Sequence, residues 1–264
     1  MRRLSRRQFL SIGGLVVVGA SASQVMSALA RDEKAPVATA TIRYAMVIDP
    51  AKCAQDPTCR DCIDACHKIH NVPLFAPNAQ GEETDKAHEI KWIWKATFEE
   101  AFDEQEGDNY ATGGMKEQPM MLLCNHCDNP PCVRVCPTQA TWKRASDGIV
   151  MMDFHRCIGC RFCMSGCPYG SRSFNFRDPR PFVQEINTSF PTRTKGVVEK
   201  CNFCEERLAQ GQPPACVEAC RQKALVFGNL EDPNSEAHKI LAERLALRRK
   251  EHLGTRPQAY YITS

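Results

Sequence analysis

The chain has 264 residues, of which 43% are hydrophobic, and its formal charge at pH 7 is +3. Four of the positive charges are arginines at positions 2, 3, 6 and 7, and without them the charge is −1. This balance argues against a basic surface that binds nucleic acid. The length is sufficient for a sizeable core.

The first thirty residues predict an export signal. Arg6 and Arg7 stand in the sequence S-R-R-Q-F-L, an apolar stretch covers 10–20, and small residues lead to A-L-A at 28–30. This pattern resembles a twin-arginine signal with an A-x-A cleavage site. The apolar stretch is shorter than the about 20 residues that a transmembrane helix needs. We therefore expect residues 1–30 to be a signal peptide and the protein to be periplasmic.

The sixteen cysteines fall into four groups of four, and every group ends in C-x3-C. They are Cys53, Cys59, Cys62 and Cys66; Cys124, Cys127, Cys132 and Cys136; Cys157, Cys160, Cys163 and Cys167; and Cys201, Cys204, Cys216 and Cys220. Group three is C-x2-C-x2-C-x3-C followed by Pro168, a run typical of ferredoxins, in which the fourth thiolate ligates a neighbouring cluster. Group one departs from it, because His67 replaces proline after the last cysteine.

The groups alternate in type, which indicates an internal duplication. Asp49 and Asp153 each precede the first cysteine of groups one and three with three residues between. Groups two and four share C-N-x-C, at 124–127 and 201–204, followed by a pair of prolines. This pattern predicts two modules, each with one group of each type. It leaves open whether the groups pair sequentially or in a nested way, although the short spacer between groups two and three favours these two as partners.

Three other interpretations of the cysteines fit their spacing less well. Zinc prefers closed sites built from pairs of C-x2-C, disulfides between cysteines so closely spaced would be strained, and a redox dithiol needs a single C-x-x-C. Soft thiolates in this pattern favour iron–sulfur clusters. Histidines near the groups are interpreted as structural, because the thiols already complete the sites; they are His67, His70, His126 and His155.

The remaining pattern predicts an α+β fold made of two ferredoxin-like two-cluster modules in a pseudo-twofold arrangement. Short strands are expected at 45–49, 120–123, 140–143, 149–153, 173–176, 197–199 and 225–227. The dipeptide Asp147-Gly148 predicts a hairpin turn between two of them. Short helices are expected around the third and fourth cysteines of each group.

Two segments lie outside the cluster pattern. Residues 74–118 form an insertion with eleven acidic residues and four lysines, and its I-K-W-I-W at 90–94 predicts either a core strand or a ridge that docks a basic redox partner. Residues 232–264 are expected to form a C-terminal helix over 235–253, capped by Gly254, and a tail. The domain between the signal peptide and this helix is placed at 43–231.

The motifs over 124–167 resemble the four-cluster iron–sulfur subunits of bacterial membrane oxidoreductases that serve dimethyl sulfoxide, polysulfide, tetrathionate and nitrite reduction. The likeness covers residues 43–231. The export signal, C-H-K-I-H-N-V-P at 66–73 and E-I-K-W-I-W at 89–94 narrow it to the periplasmic iron–sulfur subunits of the Dsr transmembrane complexes of sulfate-reducing and sulfur-oxidising microbes.

The resemblance implies four 4Fe-4S clusters with nested ligation, here called sites A to D. Site A is Cys53, Cys59, Cys62 and Cys220; site B is Cys66, Cys201, Cys204 and Cys216; site C is Cys124, Cys127, Cys132 and Cys167; site D is Cys136, Cys157, Cys160 and Cys163. Related subunits with a 3Fe cluster lack the second cysteine of group three, which is present here as Cys160.

The resemblance also implies the role and the partners. The chain is expected to be a non-catalytic electron carrier between a membrane subunit that reacts with quinone and a periplasmic c-type cytochrome, in sulfur metabolism. An electron-transfer subunit of a molybdopterin-dependent reductase is the alternative within the same class. A structural subunit stapled by redox-silent metal is the alternative from another class.

Overall fold

The structure is a computed structural model that describes residues 42–75, 88–103 and 116–263. These residues belong to a compact unit that covers Ala40–Ser264. The expected signal peptide, at 1–30, lies outside the described residues. Two stretches of the insertion, 76–87 and 104–115, lie outside them as well.

Ten short strands are found within the described ranges. They are β1 (Tyr44–Ile48), β2 (Ile93–Thr97), β3 (Pro119–Leu123), β4 (Thr141–Lys143), β5 (Val150–Met152), β6 (Ser173–Phe174), β7 (Val198–Glu199), β8 (Leu225–Asn229), β9 (Ala246–Leu247) and β10 (Ala259–Ile262). Each strand expected from the sequence overlaps one of these. The mixture of small sheets and short helices is the expected α+β class.

The largest sheet has the order β8-β1-β10-β9. Strand β1 is antiparallel to β8, with Met46 opposite Phe227, and parallel to β10, with Met46 opposite Ala259. Four consecutive residues of β1, from Ala45 to Ile48, are buried apolar side chains. A strand that is covered on both faces is expected to be a continuous apolar run, so β1 lies at the centre of this layer.

Three antiparallel pairs complete the sheet structure of the described residues: β2 with β3, β4 with β5, and β6 with β7. The β4–β5 pair is the hairpin expected at Asp147-Gly148, and Gly148 adopts the positive φ of 76° that such a turn requires. Strand β2 begins at Ile93, three residues after the start of the I-K-W-I-W motif at 90–94. Its register pairs Ile93 with Leu123 and Thr97 with Pro119.

The helices are mostly single turns that begin or end at a cysteine group. They are α1 (Pro50–Cys53), α2 (Asp61–Ile69), α3 (Phe98–Ala101), α4 (Pro131–Arg134), α5 (Phe162–Ser165), α6 (Glu205–Leu208), α7 (Ala215–Glu218) and α8 (Glu236–Glu243). None of the helices in the described ranges is long and apolar enough to cross a membrane.

The C-terminal prediction of a helix over 235–253 is wrong in its extent. Helix α8 ends at Glu243, and the backbone of Arg244 is already extended, with φ −121° and ψ 143°. The chain then forms β9 and β10, so that Ile262 and Tyr261 are buried in the sheet. The pairing of β10 with β1 outweighs the helix propensity of the residues after Glu243. Gly254 does cap a helical turn, but it is the short 3-10 turn Glu251–Leu253, where Gly254 has φ 65°.

The largest apolar cluster packs β1, β2 and β3 against the cysteine loops. Trp92 is 1% exposed and donates its indole N–H to Glu199 at 2.9 Å. It stacks on His70 with ring centroids 4.4 Å apart. Trp92 is therefore a core residue and not part of a docking ridge.

Candidate metal centres

Local structure brings the last two cysteines of each group together. The third cysteine of every group lies in a short helix, and the fourth stands four residues later; the third cysteines are Cys62, Cys132, Cys163 and Cys216. Residues four apart lie on one face of a helical turn. The C-x3-C spacing therefore places the two thiols on one side of the turn, where the third can belong to one site and the fourth to a neighbouring site.

The duplication seen in the sequence extends to the backbone. His126 and Phe203 stand at the same position between the first two cysteines of groups two and four. The backbone of both residues is in the left-handed conformation, with φ 41° and 59°. Gln139 and Lys223 each stand three residues after the last cysteine of these groups, and their φ values are 54° and 49°. Residues other than glycine rarely adopt this conformation. The two loops therefore share an uncommon geometry, as expected for copies of one unit.

The thiols expected in site A influence one another. Burial raises the pKa of the Cys62 thiol to about 12, and negative charge on Cys220, Cys53 and Cys59 adds to the rise. Burial is also the main cause of the raised pKa of Cys53, where Cys220 and Cys59 again contribute. The structure thus brings Cys220 from the last group to the three cysteines of the first.

The thiols expected in site B lie deep in the protein. Burial raises the pKa of Cys66 well above its usual value, and the charges of Cys201, Cys216 and Cys204 reinforce this effect. Cys62 of site A acts on the pKa of both Cys66 and Cys216. Sites A and B are therefore neighbours.

The thiols expected in site C line one cavity. Cys124, Cys127, Cys132 and Cys167 all contribute to the wall of this small cavity. Burial raises the pKa of the Cys127 thiol, and the charges of Cys124, Cys167 and Cys132 add to the rise. Burial likewise raises the pKa of Cys201 in site B, where the largest influence of another thiolate comes from Cys124. Sites B and C are neighbours too.

Site D is the most open of the four sets of thiols. Cys160 is exposed, and Cys136 and Cys157 are half-buried. Burial raises the pKa of Cys163, and the charges of Cys132 in site C and Cys157 in site D add to it. Burial is the largest single influence on the pKa of Cys136 and raises it, but hydrogen bonds from Thr138 and from the backbone N–H groups of Thr138, Ala140 and Thr141 together lower it.

These donor sets fit iron–sulfur clusters. Burial raises the pKa of several thiols in sites A, B and C, among them Cys62, Cys66 and Cys127. These thiols keep their protons more firmly, because thiolates crowded together in an apolar site repel one another and lose hydration. Coordinated metal removes those protons. In the cavity of site C, the side-chain amide of Asn125 is 2% exposed and neither its nitrogen nor its oxygen has a partner within the described part. An amide N–H that has no partner and lies beside four thiols can donate a hydrogen bond to a cluster sulfur.

Backbone N–H groups also point at the thiols. Phe203 donates to the Cys201 sulfur at 3.4 Å, Ala215 to Cys204 at 3.4 Å and Ala224 to Cys220 at 3.3 Å. Such bonds stabilise negative charge on sulfur and are one of the means by which a protein sets cluster potentials.

His70 is an additional polar neighbour of site B. Its Nδ1 lies 3.5 Å from the Cys66 sulfur and 2.9 Å from the Cys66 carbonyl oxygen, and its Nε2 lies 2.8 Å from a Glu206 carboxylate oxygen. Burial opposes protonation, but hydrogen bonds to Cys204 and Glu206 outweigh it and raise the pKa of His70 to about 9. His70, Cys204 and Glu206 form a compact donor group, yet Cys204 already belongs to site B. His70 is best interpreted as a fixed hydrogen-bond donor to that site.

Two buried cations beside the thiols were not expected from the sequence. Arg172 donates to the Cys132 sulfur at 3.1 Å, and Lys200 lies next to Cys201 in the chain with 1% exposure. The internal repeat offers a signal for both. Asn71 and Leu123 occupy the equivalent positions in the other copy, so a charge in one copy alone marks a local difference in function.

The fold and these sites define a ferredoxin-type iron–sulfur protein. Residues 118–179 and 185–230 match the family described as "4Fe-4S dicluster domain". This match covers cysteine groups two, three and four.

Curated proteins match nearly the whole chain. The "Hdr-like menaquinol oxidoreductase iron-sulfur subunit 1" of Archaeoglobus fulgidus is 40% identical, over 98% of this chain and 97% of that protein. "Protein NrfC" of Escherichia coli is 33% identical, over 98% and 95%. The "Menaquinone reductase, iron-sulfur cluster-binding subunit" of Nitratidesulfovibrio vulgaris is 33% identical, over 84% and 89%.

The chain belongs to the family of 4Fe-4S iron–sulfur subunits of membrane oxidoreductases. It is an electron-transfer subunit of an oxidoreductase complex and not itself a catalyst. Its chemistry is therefore that of the clusters, while the protein supplies thiolate ligands, hydrogen bonds and charge.

Proposed function

We propose that this chain holds four 4Fe-4S clusters at sites A to D and relays electrons along them in that order. The observation that carries the proposal is that the charge of a thiol in one site raises the pKa of a thiol in the next: Cys62 acts on Cys66, Cys124 on Cys201, and Cys132 on Cys163. Each neighbouring pair of sites is linked by one such influence. A relay of this kind passes electrons because its cofactors are closely spaced, without a substrate site of its own.

The nested ligation and the pseudo-twofold arrangement are part of this proposal. The influence of Cys220 on Cys53 and Cys62 supports the first. The stacking of His126 on Phe203, which are equivalent residues of the two copies, supports the second. Residues related by a twofold axis meet only where they lie beside that axis.

The number of clusters is tested by iron and acid-labile sulfide analysis of the anaerobically purified protein, with a reductive titration followed by electron paramagnetic resonance. About sixteen irons per chain and interacting reduced clusters are expected, because four complete sets of ligands are present. Zinc or disulfides in place of iron would support the structural alternative instead.

Ligation is tested by combining substitutions. Cys53→Ala and Cys220→Ala are each expected to damage the cluster of site A, so the double variant keeps three intact clusters. Cys201→Ala with Cys220→Ala is the matched comparison, which damages sites B and A and leaves two. Two clusters left by both pairs would establish sequential pairing, in which Cys220 completes the cluster of group three, and three clusters left by the second pair would mean that each group binds a cluster by itself.

The partners follow from the family and from the resemblance. We propose an integral membrane subunit that reacts with quinone, as the names of the menaquinol oxidoreductase and menaquinone reductase relatives suggest. The likeness to DsrO, the iron–sulfur subunit of Dsr complexes, adds a c-type cytochrome partner and a place in dissimilatory sulfur metabolism. Purification of the intact complex tests both. Haem c in the complex is expected, and a molybdopterin subunit in its place would establish the reductase alternative.

The periplasmic location rests on the N-terminal motif. Replacing Arg6 and Arg7 together by lysine preserves the charge but removes the twin-arginine signature. Fractionation of cells is expected to show the unaltered protein outside the cytoplasm and the double-lysine variant inside it. An unchanged distribution would contradict export by this route.

A further inference from the structure

A buried arginine lies where sites C and D meet. Arg172 is 5% exposed, and its Nη2 donates to the Cys132 sulfur of site C at 3.1 Å. The same nitrogen donates to Thr141 Oγ1 at 2.8 Å, which fixes the guanidinium in place. Burial raises the pKa of the Cys163 thiol in site D, and Arg172 opposes that rise through its charge and a hydrogen bond. One cation therefore faces thiols of two sites.

A buried lysine lies where sites B and C meet. Lys200 is 1% exposed, and its ammonium donates to the carbonyl oxygens of Cys201, at 2.7 Å, and of Val150. Burial lowers the pKa of Lys200, whereas the thiolates of Cys124, Cys201 and Cys132 favour its charged form. Two of these thiolates belong to site C and one to site B. Lys200 is therefore the second cation shared between neighbouring sites.

Charges near the other sites are better screened. Arg221 lies 3.8 Å from the Cys59 sulfur of site A, but its side chain is 64% exposed and forms a salt bridge with Asp61. An exposed and paired charge has little effect at a distance. His70 beside site B is paired with the Glu206 carboxylate. Arg172 and Lys200, by contrast, are buried and have no carboxylate partner among the contacts of the described residues.

We propose that Arg172 and Lys200 are potential-setting residues that each raise the midpoint potentials of two neighbouring clusters at once. This inference rests on the proposed function. A reduced cluster carries one more negative charge than its oxidised form, so a fixed cation beside it favours reduction, and the effect is strong in a poorly screened interior. Arg172 acts on sites C and D, and Lys200 acts on sites B and C. Site C is the one cluster on which both act.

Sharing a cation has a consequence for the relay. A charge beside a single cluster would raise the potential of that cluster alone and create a step that holds the electron there. Lys200 raises sites B and C together and Arg172 raises sites C and D together, so neighbouring sites differ by the effect of one cation at most while reduction of all three becomes easier. This arrangement suits a chain of carriers through which electrons must pass in succession.

The experiment is a potentiometric titration, followed by electron paramagnetic resonance, of the full-length cluster-loaded protein and its variants. In Arg172→Met the midpoint potentials of sites C and D are expected to fall. In Lys200→Met those of sites B and C are expected to fall, so one midpoint potential, that of site C, is lowered in both variants. Each shift is expected to correspond to at least a tenfold loss in the equilibrium constant for reduction, which is about 59 mV for one electron. The fourth midpoint is expected to stay unchanged in both.

Charge-conserving variants separate electrostatics from packing. Arg172→Lys and Lys200→Arg keep a cation in place and are expected to retain most of the original potentials. Equal shifts in the conserving and the neutral variants would overturn the proposal, because they would assign the effect to lost packing. If Arg172→Met fails to load its clusters, Arg172→Gln serves as the second neutral variant, because its polar side chain can still form a hydrogen bond to Thr141.

The outcomes also distinguish this inference from the proposed function. Neutral variants with full iron content and unchanged midpoints would overturn the role of the two cations and leave the four-cluster relay intact. An unaltered protein that contains no reducible cluster would overturn the relay itself.

Discussion

The ring of His126 stacks on the ring of Phe203, with centroids 3.7 Å apart and an angle of 20° between the planes. The two residues occupy equivalent positions in the two copies of the internal repeat. His126 Nδ1 accepts a hydrogen bond from the Val150 N–H at 3.1 Å, and Phe203 packs edge-on against Phe227. The pair thus joins the cysteine loops of groups two and four to the two sheets beside them.

Phe203→Ala is expected to destabilise the loaded protein. The side chain is 1% exposed, and removing a buried phenyl ring costs about 3–5 kcal/mol because the lost contacts leave a cavity. In a chain of this size the thermal midpoint, measured under anaerobic conditions by bleaching of the cluster absorption, is expected to fall by about 10 °C.

Phe203→Leu is the matched control, because it keeps most of the volume and is expected to cost less than about 1.5 kcal/mol. A midpoint for Phe203→Ala close to that of the unaltered protein would mean that the stacked pair contributes little to holding the two loops together.

A buried ion pair joins the core to the loop that follows group one. Arg193 and Glu199 have fully buried side chains and lie 2.7 Å apart. Arg193 also donates to the Asn71 carbonyl at 2.8 Å, and Glu199 accepts from Asn175 at 2.6 Å. Because a buried charge without its partner loses hydration and gains nothing in return, Glu199→Gln is expected to cost about 3–5 kcal/mol.

A double-mutant cycle checks this explanation. Arg193→Met alone is expected to be as harmful as Glu199→Gln, whereas Arg193→Met with Glu199→Gln removes both charges and is expected to cost less than the sum of the single changes. Additive thermal shifts would contradict a specific interaction between the two side chains.

The sequence allowed the cysteine groups, the strands and the hairpin at Asp147-Gly148 to be predicted, because these depend on spacing and local turn chemistry. It did not allow Arg172 to be placed beside Cys132, or the Lys200 ammonium to be placed at the Val150 carbonyl, since these contacts join residues far apart in the chain. Cys132 and Arg172 are 40 residues apart. Long-range packing of this kind has no periodic signal.

The error at the C-terminus has the same origin. Residues 244–253 follow a helical pattern, but the chain gains more by placing β10 beside β1, where Tyr261 is 2% exposed. Parallel pairing of two strands from opposite ends of a chain depends on the whole fold. Local propensity is too weak, at well under about 1 kcal/mol per residue, to decide against it.

Tyr261 offers a direct test of that C-terminal strand. Its hydroxyl donates to the Met121 carbonyl at 3.0 Å, which connects the largest sheet to β3. Tyr261→Phe removes this bond and is expected to cost about 1 kcal/mol, while Tyr261→Ala also removes the ring and is expected to cost about 3–5 kcal/mol. If the C-terminal segment were a tail outside the core, both variants would have the thermal midpoint of the unaltered protein.

The exposure of the sites predicts the order in which iron is lost. Cys160 is the exposed cysteine of the described chain, and Ile158 beside it is 67% exposed. Cys66 and Cys216 of site B are buried. A chelator or a mild oxidant must reach a cluster before it can dissolve it, so site D is expected to lose its iron first and site B last. The first phase should release about one quarter of the total iron, the content of one of four equal clusters.

The assignment of that first phase needs a variant without site D. Cys157→Ala with Cys163→Ala removes two of its ligands and is expected to abolish the fast phase while the slower phases remain. Cys53→Ala with Cys62→Ala, which removes two ligands of site A, is the matched control and is expected to keep the fast phase. If the fast phase survived loss of site D and vanished with site A, then the more irregular group one, and not the exposed Cys160, would mark the labile end of the relay.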